Sequence, residues 1–196
     1  LGFCLRTTNL SVSRLLLAGT ALGTFFLSLS SLIGILGNRS QELAFWVAGG
    51  FKSITWGHVW LLLFAGGISL ILFFFLAGSI NILSLGDEAA TGLGVRPERI
   101  RLWSILLLIP VCAVCVASAG NIAFVGLVIP HMIRKIFDND YRRMIPLSFL
   151  GGSVLMVWAD LAARLANQPY ETPVGLFTSI LGVPVFLWLI RKEQSR

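Results

Sequence analysis

Long stretches without a single ionisable residue divide this chain, and short charged segments separate them. Residues 15–37 and 59–84 carry no charge, and the second stretch contains Phe73, Phe74 and Phe75 in succession. A helix needs about 20 mostly apolar residues to cross the hydrocarbon core of a bilayer, so each stretch predicts one transmembrane span. Residues 102–130 are also uncharged, but the run is too long for one span, and Pro110 and the Gly120–Asn121 pair interrupt it. It predicts two short helices, near 102–119 and 123–136. Pro130 leaves the carbonyl of Gly126 without its helical partner, which predicts a kink there. Residues 145–165, with Asp160 and Arg164 near their end, and residues 173–190, interrupted by Pro184, complete the set. The pattern is that of a polytopic helical bundle of about six spans.

The segments between the apolar runs alternate in charge. Arg6, Arg14, Arg96, Arg99, Arg101, Arg134, Lys135, Arg142, Arg143, Arg191, Lys192 and Arg196 fall in one set of connections, and only Arg39, Lys52 and Arg164 in the other. Basic residues accumulate on the cytoplasmic side of membrane proteins, so both ends of the chain are expected to face the cytoplasm. An even number of spans agrees with that. On the first span, Gly19 and Gly23 at four-residue spacing permit close approach of another helix.

One polar connection has a pattern of its own. In 81–101, Ser84 is followed three residues later by Asp87, which fits a capping box and predicts a short helix beginning at Ser84. Asp87 and Glu88 then occupy its first turn, where the helix dipole favours acids. Gly92 and Gly94 supply a stop, and Pro97 suits the first position of a second short helix. Ile82, Leu85, Ala89 and Leu93 recur at roughly helical spacing and give the segment an apolar stripe. Physically this describes either a connector lying on the membrane surface or a knob that docks a soluble partner.

Composition fixes the class. The chain is 56% hydrophobic and only 12% charged, with a mean hydropathy of +0.86, whereas soluble domains are about a quarter charged. An all-α integral membrane protein follows. The formal charge of +6 is dispersed between apolar runs, which argues for topology determinants and against nucleic acid. Cys112 and Cys115 form a C-x-x-C inside an apolar run, without a second ligand pair or a βαβ context, and read as small residues on one helix face. No Walker A pattern occurs, so any ATP hydrolysis belongs to another chain.

At 81–95 the sequence closely resembles the coupling segment of the FecCD-type permeases, which import ferric siderophores, haem and cobalamin. Residues 119–134, Ala-Gly-Asn-Ile-Ala-Phe-Val-Gly-Leu-Val-Ile-Pro-His-Met-Ile-Arg, look like the family's Gly-x-Ile-x-Phe-Val-Gly-Leu-x-x-Pro-His signature. Residues 159–164, 171–175 and 182–186 are similar to its last blocks, and 45–50 resemble the Trp-containing loop after its fifth helix. The resemblance covers essentially the whole chain, as a single permease domain over 1–196. Family members look like ten-span proteins, and this chain would begin just before the fifth span, with its true N-terminus upstream.

The resemblance implies a permease of an ABC importer in the bacterial inner membrane. Its expected partners are ABC ATPase subunits, a substrate-binding protein, a second permease subunit in a homodimer or pseudo-dimer, and membrane lipid. No catalytic, cofactor or metal site is expected. Coupling to the ATPase would fall on Ser84, Leu85, Gly86, Asp87, Glu88, Ala89, Leu93, Gly94 and Val95. Arg164 would dock the binding protein from the outer face, or pair with Asp160 at (i, i+4). Ser11 and Ser13 are candidate gate residues at the inner mouth. Two rivals stand beside this reading. One is a non-transporting membrane scaffold. The other is an intramembrane enzyme built from His131, Asp160, Glu171, Ser28 and Ser30, for which no known catalytic spacing is present.

Overall fold

The computed structural model describes residues 12–52, 54–137, 139–166 and 172–194, and every regular element among them is a helix. The chain divides into two units, 1–45 and 46–196.

In the first unit, α1 (Val12–Leu36) is a 25-residue helix. Four of its hydroxyl groups are satisfied within the helix: Thr20, Thr24, Ser28 and Ser31 each donate to a carbonyl three or four residues back. Such back-bonding lets polar side chains sit in an apolar medium. After α1 the Arg39 amide donates to the Gly34 carbonyl at 2.8 Å, and α2 (Ser40–Ala48) follows. Sequence reasoning treats this stretch as a loop, because nine residues are too few to show a helical period.

The second unit holds α3 (Trp56–Leu83), α4 (Asp87–Gly92), α5 (Pro97–Ala119), α6 (Val125–Ile136), α7 (Tyr141–Ala166) and α8 (Val174–Gln194). Helix α3 packs on α5 and α7, and α6 packs on α7 and α8. Contact is made largely through small side chains. Ala77, Ala90, Ala119, Ala159 and Ala163 are buried, whereas Phe64, Phe74, Phe75, Trp103 and Trp158 lie exposed. Small residues inside and large apolar ones outside is the arrangement of helices packed within lipid.

Among the described residues, four helices are long and apolar enough to cross a membrane: Leu17–Leu36, Trp56–Leu83, Pro97–Ala119 and Tyr141–Ala166. The apolar part of α8, Val174–Trp188, is shorter. The predicted break in 102–130 is present, but its second piece is not a span. Helix α6 has 12 residues, about 18 Å of helix, roughly half the hydrocarbon thickness. Residues 120–124 are non-helical, with left-handed backbone at Gly120 (φ 74°) and Phe124 (φ 68°), and they consume the length a full span needs. Helix α5 runs unbroken through Pro110 to Ala119.

Main-chain crossings close the end of this unit that holds the start of α8. The Gly50 amide donates to the Ala119 carbonyl at 2.9 Å, and the Gly175 amide to the Gly49 carbonyl at 3.0 Å. A β-carbon at Gly120 would lie 1.9 Å from the Trp46 carbonyl oxygen, and one at Gly175 2.0 Å from that of Ala48. Only glycine permits such an approach. Beside this crossing, Ala159, Ala163 and Val174 form a buried cluster, with Phe51, Met156 and Phe177 packed against it. Between α6, α7 and α8 an apolar cleft of about 420 Å³ is lined by Phe124, Val128, Met132, Val154, Trp158 and Leu181 among others.

Candidate docking surface

The other end of the second unit carries α4. Helix α3 continues to Leu83, and Ser84 closes it as C-cap in right-handed geometry (φ −67°). The Ser84 hydroxyl donates to the Asn81 carbonyl at 2.7 Å. The expected capping box is therefore not formed. The apolar run carries the helix to its natural end, and Ser84 spends its hydroxyl there instead of opening the next one. Gly86, with φ of 109°, turns the chain, and α4 starts at Asp87. Asp87 and Glu88 do occupy its first turn, as predicted.

The predicted stop is a Schellman motif. The Val95 amide donates to the Ala90 carbonyl at 2.9 Å and the Gly94 amide to the Thr91 carbonyl at 3.0 Å, with Gly94 in left-handed geometry (φ 79°). Gly92 is the last helical residue. Pro97 does occupy a first helical position, but the helix it opens is the 23-residue α5 and not a second short one. The missing boundary is physical: no breaker separates Glu98 from the apolar run beyond it.

The packing divides the α4 stripe. Ala90 is fully buried, while Leu85 and Leu93 are 69% and 63% exposed, and Ala89 between them in sequence is exposed too. An alanine on α4 and a leucine on each flank are thus exposed, while Ala90 anchors the helix. Asp87 accepts a 2.8 Å ion pair from Arg101 on α5. Both side chains are more than half exposed, so the pair contributes about 0–1 kcal/mol.

A second, more enclosed set of bonds lies just beneath. Asn81, in the last turn of α3, donates from Nδ2 to Asp140 Oδ1 at 2.6 Å and accepts from the Tyr141 amide at 2.8 Å. Asp140 in turn caps α7, its Oδ1 accepting from the Arg142 amide at 2.9 Å. Its carboxyl is held below the ordinary carboxylate range, first by that amide and then by Asn81, with the charges of Arg142 and Arg143 adding and desolvation opposing. A carboxylate favoured by hydrogen bonds to its charged form stays ionised. The Tyr141 hydroxyl accepts from Arg134 at 3.2 Å, and Lys135 lies 4.6 Å from the Trp188 ring centroid on α8. Sequence reasoning missed this group. Asp140 standing directly before a helical run is a recognisable N-cap signal, but nothing in the sequence pairs it with Asn81.

Arg164 is distant from all of this. It follows Asp140 by 24 residues along α7, about 36 Å of helix. There it is exposed and donates from Nε to Asp160 Oδ2 at 2.8 Å, the (i, i+4) pair foreseen from the sequence. His131 lies in the half of α6 that leads towards Asp140, whereas Asp160 is near the far end of α7, so these two residues of the rival hydrolase reading do not converge. Glu171 and Ser11 lie outside the described residues. Ser13 falls in α1, with its side chain outside them.

A family model described as the FecCD transport family matches residues 1–192. The chain is 46% identical to the iron(3+)-hydroxamate import system permease protein of Bacillus subtilis, over 95% of the chain and 48% of that protein. It is 38% identical to an Fe(3+) dicitrate transport system permease protein of Escherichia coli, over 90% and 56%. It is 36% identical to the vitamin B12 import system permease protein of Citrobacter koseri, over 95% and 57%. The chain thus spans about half the length of the curated relatives it matches. Among solved structures, an inward-facing metal-chelate type ABC transporter superposes with a TM-score of 0.82 at 29% identity, over 93% of this chain and 60% of that one.

Proposed function

Since this chain belongs to the FecCD transport family, we propose that it forms part of a membrane permease of an ABC importer for iron–siderophore, haem or cobalamin-type substrates. The permease sits in the bacterial inner membrane with the α4 end of the second unit towards the cytoplasm. There α4 and its flanks, from Ser84 to Val95, dock on an ABC ATPase subunit, and nucleotide-driven closure of the ATPases moves the permease helices. Arg164, on the opposite face, meets an acidic residue of the substrate-binding protein, exchanging or sharing its bond to Asp160. A second permease subunit completes the pathway.

The observation that carries this reading is the exposed trio Leu85, Ala89 and Leu93, on α4 and its two flanks, in a segment anchored by Ala90, Gly94 and the Asp87–Arg101 pair. A pre-ordered apolar face loses little conformational freedom on docking, which favours binding. Ala89→Arg places length and charge at the centre of that face. In the full-length permease it is expected to weaken retention of the ATPase in a pull-down roughly tenfold or more, with membrane insertion unchanged. An inserted Ala89→Arg permease that keeps its ATPase and still transports would leave α4 a mere connector.

A further inference from the structure

Docking on α4 produces transport only if displacement of that short helix reaches the long ones. Two sets of bonds leave the α4 region. The Asp87–Arg101 pair leads to α5, but it is solvent-exposed on both sides and yields readily to water and salt. The other route runs through the last turn of α3. Only three residues, Ser84 to Gly86, separate α3 from α4, and the Ser84 hydroxyl ties that link to the Asn81 carbonyl. The Asn81 side chain then makes two bonds to the start of α7, at 2.6 and 2.8 Å. One turn earlier on α3, Gly78 leaves room for the Arg142 guanidinium, which a β-carbon there would approach to 3.1 Å. From α7 the bonding continues through Tyr141 to Arg134 on α6, and through Lys135 to Trp188 on α8.

Resting on the α4 reading, we propose that Asn81 is a positioning residue for coupling: its amide, clamped on Asp140 and on the Tyr141 amide, makes the end of α3 and the start of α7 move as one body. The geometry suits this task. Both ends of the Asn81 amide are engaged, so the amide cannot rotate without breaking a bond. Bonds to an ionised carboxylate are about twice as strong as neutral ones. Asp140 is at once the partner of Asn81 and the cap of α7, so pulling on α3 pulls on the helix terminus itself.

The chemistry offers a sharp test. Asn81→Asp sets two carboxylates against each other where a donor is required. Asp140→Asn is the conservative partner: its side-chain oxygen still accepts from Asn81 Nδ2 and from the Arg142 amide, so the joint keeps its geometry with neutral bonds in place of charge-assisted ones. The experiment uses full-length permease, with Cys4, Cys112 and Cys115 replaced by serine, assembled with its ATPase and binding protein in proteoliposomes, iron(3+)-hydroxamate as the transported probe, and spin labels at Phe75→Cys, exposed on α3, and Arg143→Cys at the start of α7. In the parent, the label-to-label distance stays narrow and unchanged on ATP binding. Asn81→Asp is expected to broaden it and make it nucleotide-dependent, to lower uptake about tenfold, and to leave ATPase retention intact. Asp140→Asn keeps the distance narrow and loses far less uptake than Asn81→Asp. Parent-level uptake in Asn81→Asp, an equal loss in Asp140→Asn, or loss of the ATPase together with uptake would each overturn the clamp. Ala89→Arg in the same assembly separates the premise: if it keeps its ATPase and transports, α4 is not the dock and the clamp falls with it, whereas its failure to bind alongside an unaffected Asn81→Asp refutes the clamp alone.

Discussion

Gly120 and Gly175 secure one end of the second unit by having no side chain, much as Asn81 and Asp140 secure the other by having the right ones. At Gly120 the backbone is left-handed, and a β-carbon would meet the Trp46 carbonyl oxygen at 1.9 Å, main chain against main chain, with no flexible atom to give way. Gly120→Ala is therefore expected to destabilise the protein by about 3 kcal/mol or more, read as a lowered unfolding midpoint in detergent. Gly66, within α3, is the control, since a β-carbon there meets nothing within 4 Å. Gly66→Ala should change stability by less than about 1 kcal/mol, in the stabilising direction. If the two variants unfold alike, the crossing at Trp46 is not what holds that end together.

Among the elements, the long helices were the most legible, because lipid imposes a length that charge-free runs report directly. The run 59–84 became Trp56–Leu83, and 145–165 became Tyr141–Ala166. What failed was decided by contacts that sequence spacing does not record. Ser84 bonds backwards to α3 instead of forwards to α4. The 123–136 helix forms as Val125–Ile136 but is too short for the span it was counted as, because left-handed backbone at Gly120 and Phe124 fits the crossing with Trp46 and the face of α8, where a β-carbon at Gly182 would fall 2.3 Å from Phe124. Of the candidate docking face, Leu85, Ala89 and Leu93 were named in advance, but the buried Ala90 and the Asn81–Asp140 joint were not. On α7, Asp160 and Arg164 were legible as a pair from their spacing alone. The exposure of Arg164 on the end away from α4 gives the element its own prediction. Arg164→Glu is expected to weaken association with the binding protein about fivefold at low ionic strength, and to leave ATPase retention unchanged. Undiminished affinity under those conditions would restrict Arg164 to its bond with Asp160.

For the whole molecule, the basic residues and the helix ends tell one story. Arg96, Arg99, Arg101, Arg134, Lys135, Arg142 and Arg143 all fall at the end of the second unit that carries α4, and Lys52 and Arg164 at the other. The positive-inside rule supports the proposal that the α4 end is cytoplasmic. With Cys4, Cys112 and Cys115 replaced by serine, single cysteines at Asp87 or Asn139 should react with an impermeant maleimide only from the cytoplasm, and cysteines at Asn38 or Gln168 only from outside. Reversed labelling at either pair would invert the orientation and remove α4 from the reach of any cytoplasmic ATPase. The crossing at the opposite end has a consequence for biosynthesis. A ribosome delivers Gly49 long before Gly175, so the carbonyl of Gly49 waits for its donor until nearly all the helices exist. In an apolar surrounding an unmatched carbonyl is unfavourable by several kcal/mol. A nascent or truncated chain that stops short of α8 therefore carries an unmatched carbonyl in the loop after α2.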